Sequence, residues 1–324
     1  MTARQRFAAT MSLGCPDRVP LFEEGLREDV LARWREQGLG EAELADLFCY
    51  DRREQVPVDL EPRPRLERPV ASRRDLAALR ERLDPLDPAR LPDDWARRVA
   101  AWRGRDHVLQ LPIHRGLFLS LGVGDWSSFV RVACQVRDDP GLVAEAMAAY
   151  GRFAARLAER VLGEVGVDFA SFSEPIGGND RPLVSPRDYR RLALSSYRPV
   201  LEALRRGGVR TVVFLTYANA RALLPAVLDA GFDCLWACET EGAAMDYRSL
   251  RRELGPALRL IGGIDLDVLL TTPERIRREL EAEVPPLLAQ GGYVPLADGR
   301  VRANVPFAHY ACYRSLLERL VGAR

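Results

Sequence analysis

From about residue 160 onward, short runs rich in β-branched and aromatic residues alternate with longer segments of helical period, the pattern of parallel strands joined by crossover helices. The spacing predicts strands at 167–174 (VDFASFSE), 209–217 (VRTVVFLTY), 232–239 (FDCLWACE), 258–265 (LRLIGGID) and 292–298 (GYVPLAD). Helix starts are marked by Ser185 before Pro186 and by Thr272 before Pro273, each a capping hydroxyl followed by proline at the first helical position. Gly207, Gly208, Gly231, Gly255, Gly291 and Gly292 stand where helices should stop.

In the N-terminal third, RVPLFEEG at 18–25 and HVLQLPIH at 107–114 read as two more strands, with an eighth not placed. The Pro- and Arg-rich stretch 56–72 reads as an edge hairpin or an irregular excursion, the hairpin being favoured. Successive βα units can close into a barrel or lie open as a doubly wound sheet. No GxGxxG or GxxxxGK[ST] follows any strand, and Gly262 and Gly263 precede an acid rather than a helix. The expectation is therefore an α/β fold, a (β/α)8 TIM barrel over residues 1–324 as a single domain, with an N-terminal extension and an edge hairpin.

Composition narrows the chemistry. The 47 basic residues oppose 46 acidic ones, so no global field draws the chain to nucleic acid or membrane, and a small-molecule substrate is the expected partner. Every basic residue is arginine. Without lysine there is no Schiff base, no anchored pyridoxal phosphate and no phosphate-loop lysine. Cys15, Cys49, Cys134, Cys234, Cys238 and Cys312 are scattered, which fits reduced thiols and a cytoplasmic location. The N-terminus MTARQRFAAT has no apolar core of a signal peptide, and no apolar run approaches the roughly 18 residues of a membrane helix.

Parallel strands deliver their C-terminal ends to one face, where barrel enzymes carry their catalytic groups. Those ends hold Glu23 or Glu24, His114, Glu174, Tyr217 with Asn219, Glu239, Asp265 and Asp298. An acid at a strand end can equally cap the next helix or lie solvated in a loop. Gathered together, several carboxylates would raise one another's pKa or recruit a cation. Arg115, beside His114, is placed to bind an anionic group, while a lone histidine is commonly a hydrogen-bonded structural residue. Cys234 and Cys238 share one side of their strand, a spacing more typical of small core residues than of zinc ligands. Ser171 and Ser173 lack the G-x-S-x-G turn of a serine nucleophile.

The segments PDRVPLFEEG (16–25), LVSPRDYRRL (183–192), LRLIGGIDLDVL (258–269) and GGYVPLADGRVRANVPFAHYACY (291–313) resemble the uroporphyrinogen decarboxylase superfamily, over residues 2–320. That resemblance implies a (β/α)8 barrel and either decarboxylation or methyl transfer with corrinoid or thiol partners. The decarboxylase carries an arginine-rich RQAGRY segment after its first strand, where this chain has FEEGLRED. Glu23 and Glu24 there would repel a polycarboxylate such as uroporphyrinogen. The methyltransferase branch has an H-x-C-G-N pattern with zinc ligands, where this chain has Leu215, Thr216, Tyr217, Ala218 and Asn219. A histidine that follows the GGY-motif aspartate in uncharacterised relatives is here Gly299.

The resemblance thus leaves Glu23, Glu174, Asn219, Glu239, Asp265 and Asp298 at matching positions. For an enzyme acting on a small methylated or carboxylated metabolite, Glu174 and Glu239 would position the substrate or a cation, Tyr217 would donate a proton, and Asp265 or Asp298 would act as base. Glu23, His114, Arg115 and Asn219 would bind substrate. Methyl transfer is the leading expectation, with a corrinoid protein as a candidate partner. The alternatives are a decarboxylase, with Arg115, Arg181 or Arg300 offsetting the acids, and a non-catalytic ligand-binding barrel. The residues specify neither a cofactor nor a metal.

Overall fold

The structure, a computed structural model, describes residues 1–239 and 242–323. It is an α/β fold. Seven strands occur among the described residues: β1 (Arg53–Gln55), β2 (Val108–His114), β3 (Phe169–Glu174), β4 (Val212–Tyr217), β5 (Cys234–Cys238), β6 (Arg259–Ile264) and β7 (Tyr293–Ala297). Among these residues no helix is long and apolar enough to cross a membrane. The chain forms two compact units, one of Met1–Arg53, Asp106–Val108 and Cys234–Arg324, the other of Glu54–Arg105 and Leu109–Asp233.

In the second unit β2, β3 and β4 pair in parallel, with Leu111 opposite Ala170 and Ala170 opposite Val212. One face of this sheet is apolar and packs on helices. Phe172 touches Tyr197 of the helix Ser195–Arg206 and Phe232, and Phe214 touches Tyr189 and Phe232. Burying each such ring contributes about 2 to 3 kcal/mol. The opposite face carries Gln110, whose amide donates to Ser171 Oγ at 2.7 Å. The helix Pro140–Leu162 lies against Ser195–Arg206 at Gly151, where a Cβ would come 2.0 Å from the Ser196 carbonyl. Only a residue without a side chain allows that approach.

In the first unit β5, β6 and β7 are also parallel, with Ile261 between Trp236 and Val294. Tyr247, from the helix Tyr247–Leu254, accepts from Ala237 N at 2.9 Å and donates to the Ile261 carbonyl at 2.6 Å, pinning that helix across two strands. Gly263 has φ +82°, and a Cβ there would sit 2.5 Å from the Tyr247 ring. The Gly-Gly pair inside β6 is therefore a seat for this tyrosine.

The five later strands and the strand at 107–114 form where the periodicity places them, and Ser185 and Thr272 cap helices that have proline in their first turn. Two expectations are corrected. Residues 18–25 are not a strand: Pro20 has no N–H, Leu21 exchanges hydrogen bonds with Asp51, and the Phe22 carbonyl accepts from Arg314. Side chains take the place of a ladder. Nor is 56–72 a hairpin. Pro57, Pro62, Pro64 and Pro69 remove donors, and the segment runs irregularly around the buried Arg90, which donates to the carbonyls of Asp59, Glu61 and Arg82.

Candidate functional site

In the first unit, the C-terminal ends of β5, β6 and β7 are tied together through Asp298. Its N–H donates to the Ile264 carbonyl at 2.9 Å and its own carbonyl accepts from Glu239 N at 2.7 Å. Its carboxylate accepts from Leu266 N at 3.0 Å, and the residue is buried. Glu239 holds φ +49°, a left-handed conformation that costs a non-glycine residue about 1 kcal/mol or more. Gly299 lies beside it, its would-be Cβ 3.7 Å from Glu239 Cγ.

The charges of Asp298 and Glu239 act on the neighbouring Cys238. Burial pushes its thiol well above the ordinary range, and the charges of Glu24, Asp298 and Glu239 add to that, with the Arg53 guanidinium opposing. Arg53 donates to Glu24 Oε1 at 2.6 Å and lies 5.0 Å over the Trp236 ring. Burial also raises the Glu24 carboxyl and lowers Arg53. Arg300 acts on Glu24 as a second cation. Glu23 Oε2 accepts from Tyr310 at 2.7 Å, and the hydroxyls of Tyr310 and Tyr50 lie 2.8 Å apart. Since Tyr310 gives its proton to Glu23, Tyr50 must donate to Tyr310, so a directed chain ends on the Glu23 carboxylate.

Asp265 is placed differently from Asp298. It is exposed, and its side chain accepts from Asp267 N at 2.8 Å as the cap of the turn Leu266–Leu270. The cap explains an acid at that strand end without any catalytic duty.

In the second unit the expected residues separate by face. Glu174 is fully buried on the helix-covered side of β3. Its Oε1 accepts from Leu117 N at 2.8 Å, and its Oε2 accepts from Tyr189 at 2.9 Å and from Tyr197. Burial outweighs these donors and raises the carboxyl to about 7. Both oxygens are occupied, so Glu174 anchors the helices that carry Tyr189 and Tyr197. Gly116, at φ +76°, leaves room for it, because a Cβ would lie 2.5 Å from Glu174 Oε1.

His114 joins the same interior. The register of β2 against β3 shifts between Pro112 and His114, which brings the ring to stack on Phe172 at 5.6 Å and beside Tyr197 at 4.6 Å. Its Nδ1 accepts from Gly116 N at 2.9 Å, which leaves the ring proton on Nε2. Burial, aided by Arg115, lowers its pKa to about 3, so it is neutral. Arg115 itself pairs with Glu61. Asn219 fixes a loop, donating to the Asp180 carbonyl at 2.9 Å and accepting from Arg221 N at 3.1 Å. Tyr217 is half-buried at the end of β4, alternating with Thr216, whose hydroxyl donates to the Glu174 carbonyl. By the period of two, Leu215 and Tyr217 share the face opposite to Glu174.

In the first unit Glu24, Glu239 and Asp298 act by their charge on one thiol, Cys238, while Glu174, His114 and Asn219 have structural partners of their own. Arg53, Tyr50 and Tyr310 were not singled out by the sequence, because nothing local marks a residue whose partner lies 29 positions away, as for Arg53 and Glu24, or 260 and more, as for Tyr50, Tyr310 and Glu23. Leu215 and Tyr217 offer neither nitrogen nor sulfur, so the zinc of the H-x-C-G-N pattern does not fit. Among the described residues no group of three or more His, Cys, Asp or Glu side chains is arranged to hold a metal ion.

Residues 125–295 match the family model "Uroporphyrinogen decarboxylase (URO-D)". The chain is 29% identical over 126 residues to a uroporphyrinogen decarboxylase of Psychromonas ingrahamii, a match covering 38% of this chain and 34% of that protein. It is 27% identical over 143 residues to the enzyme of Edwardsiella ictaluri, covering 43% of this chain and 38% of that one. The chain thus spans little more than a third of the length of these curated relatives. Among solved structures, a methyltransferase from Methanosarcina mazei superposes with a TM-score of 0.62 at 16% identity, over 98% of this chain and 99% of that one. At that identity the likeness concerns the fold. With more than half of its length matched by the family model, the chain belongs to the uroporphyrinogen decarboxylase (URO-D) family.

Proposed function

We propose that this protein is an enzyme that transfers a methyl group from or to a small, uncharged or cationic metabolite, rather than a decarboxylase of porphyrinogens. The observation that carries this reading is the charge balance at Cys238, where Glu24, Glu239 and Asp298 face a single guanidinium, Arg53. Glu23 and Arg300 add one charge of each sign around Glu24. A substrate bearing several carboxylates would meet net repulsion there, whereas a methylated amine or a neutral ether would not.

On this reading Glu239 and Asp298 position the substrate, and Glu24 and Arg53 set the local field. The protonated thiol of Cys238 is a soft, apolar contact for a methyl group rather than a metal-bound nucleophile. The acceptor is supplied by a partner, for which a corrinoid protein is the natural candidate, and the reaction takes place in the cytoplasm.

The test is to incubate the purified protein with isotope-labelled methylated and carboxylated metabolites, with and without a methyl-accepting corrinoid protein. Label arriving on the corrinoid supports methyl transfer. Release of labelled carbon dioxide from a carboxylated substrate overturns it in favour of a decarboxylase.

A further inference from the structure

Trp236, in the middle of β5, is 1% exposed, and among the described residues its indole Nε1–H meets no acceptor. Buried tryptophans ordinarily place that hydrogen on an oxygen, because a donor cut off from water and left unpaired is costly. An orphan donor beside a candidate site marks a place for an acceptor that the chain does not itself supply. By the period of two, Trp236 and Cys238 project from the same face of β5. Arg53 agrees with that placement: its guanidinium lies 5.0 Å over the Trp236 ring, and its charge acts on the Cys238 thiol. On the neighbouring strand stands Gly262, where a Cβ would lie 3.5 Å from Cδ1, the ring atom bonded to Nε1. Position 262 thus leaves that edge of the indole uncovered.

We propose that the Trp236 Nε1–H is a specificity-determining donor of this site, and that the substrate is a neutral methyl ether whose oxygen accepts it. The inference rests on the reading of Cys238 as the contact for a methyl group, and it narrows the substrate class.

Three observations select a neutral ether. An indole N–H can only donate, so its partner must accept, which a protonated or fully methylated amine cannot do. Arg53 already lies over the Trp236 ring and 5.8 Å over that of Phe22, so an ammonium seeking the indole face meets a like charge. A carboxylate would accept the hydrogen but would be repelled by Glu24, Glu239 and Asp298, whose charges act together at Cys238. An ether oxygen satisfies the donor and meets neither repulsion, and its methyl group is free to rest on the thiol.

Calorimetric titration with anisole and ethylbenzene tests the idea without any methyl acceptor. The two probes share one shape and differ by an oxygen in place of a methylene. The unmodified chain is expected to bind anisole about tenfold more tightly than ethylbenzene, the weight of one hydrogen bond. It should also prefer anisole to trimethylphenylammonium. Trp236→Phe should bind anisole and ethylbenzene equally. A second variant, with benzothiophene in place of the Trp236 indole, keeps the shape and puts sulfur where the N–H was; it should lose the same preference at an unchanged melting temperature. In isotope-labelled protein the Trp236 indole proton, identified by its disappearance in Trp236→Phe, should move downfield with anisole and stay in place with ethylbenzene. Equal binding of the two probes by the unmodified chain overturns the proposal. So does a preference that survives both variants, trimethylphenylammonium bound as tightly as anisole, or no binding of any of the three. Anisole held by Trp236 yet never demethylated beside a corrinoid protein would support this inference and remove the methyl-transfer reading instead.

Discussion

The Arg53 guanidinium lies 2.6 Å from Glu24 Oε1, with only 9% and 19% of the two side chains exposed. A pair this sheltered is costly to break from one side, because the remaining charge loses water without keeping its partner. Arg53→Met is therefore expected to destabilise the fold by about 3 to 5 kcal/mol at pH 8. The loss should shrink on acidification, since the Glu24 carboxyl, already raised by burial, can then take a proton. The double variant Arg53→Met with Glu24→Gln should recover most of the loss. Urea unfolding of the unmodified protein, the single variants Arg53→Met and Glu24→Gln, and the double variant at pH 5 and pH 8 measures it, and a double variant as unstable as Arg53→Met would refute the pairing.

Glu174 should make stability fall with rising pH. Its folded pKa is raised to about 7 by burial, against an ordinary 4.5, so the folded state holds the proton more tightly than the unfolded chain. The contribution is full below 4.5 and is lost as pH rises through about 7. A tenfold difference in proton affinity between the two states is worth about 1.4 kcal/mol, which puts the change on the order of 3 kcal/mol. Glu174→Gln keeps the shape and removes the titration. It is expected to equal or exceed the unmodified protein in stability at pH 8, where the buried carboxylate is charged. A Glu174→Gln protein that is much less stable at pH 8 would show that the anion itself is needed, as it would be for a substrate-facing group.

His114 works in the opposite sense. Its folded pKa is lowered to about 3 from 6.5, so the unfolded chain binds the proton more readily. Its contribution is full above 6.5 and is lost as pH falls towards 3. Between 4.5 and 6.5 the slopes from Glu174 and His114 oppose, and the stability of the unmodified protein should be nearly flat there. Glu174→Gln should expose a stability that rises with pH. His114→Asn, which keeps an acceptor for Gly116 N, should expose one that falls. Thermal melts at half-unit pH steps distinguish these shapes, and parallel profiles for both variants would contradict the assignment.

These two residues also mark how far the sequence could be read. Strand existence was legible because the apolar runs of β3 to β7 are bounded by glycines and capped helices, signals that act within a few residues. The strand ends were legible too, and Glu239, Asp265 and Asp298 stand at them. What the sequence concealed was direction. The register shift between Pro112 and His114 is invisible in the letters, and it brings His114 onto Phe172. Glu174 occupies the same kind of strand end as Asp298, but it alternates with Ser173 and so faces the helices. An apolar run such as VPLF likewise reads as a strand until Asp51 and Arg314 are known to take its backbone groups. Each of these outcomes depends on a partner distant in sequence, as does the Arg53–Glu24 pair.

Cys238 offers a check on the site that does not require a substrate. A thiol reacts through its thiolate, and burial together with Glu24, Asp298 and Glu239 pushes Cys238 well above the ordinary range. Cys15 and Cys134 are exposed. Alkylation of the native protein at pH 8 should therefore label Cys15 and Cys134 quickly and leave Cys238 unmodified until the chain unfolds, as mass spectrometry of digested peptides would show. Replacing the neighbouring carboxylates isolates the electrostatic part. Glu24→Gln removes the largest of the charge contributions to the thiol, and Cys238 should then label faster in the folded state, while Asp265→Asn, which alters only an exposed cap, should leave its rate unchanged. Fast labelling of Cys238 in the unmodified protein would mean that a thiolate is present, and the reading of this site as a protonated, soft contact for a methyl group would have to be abandoned.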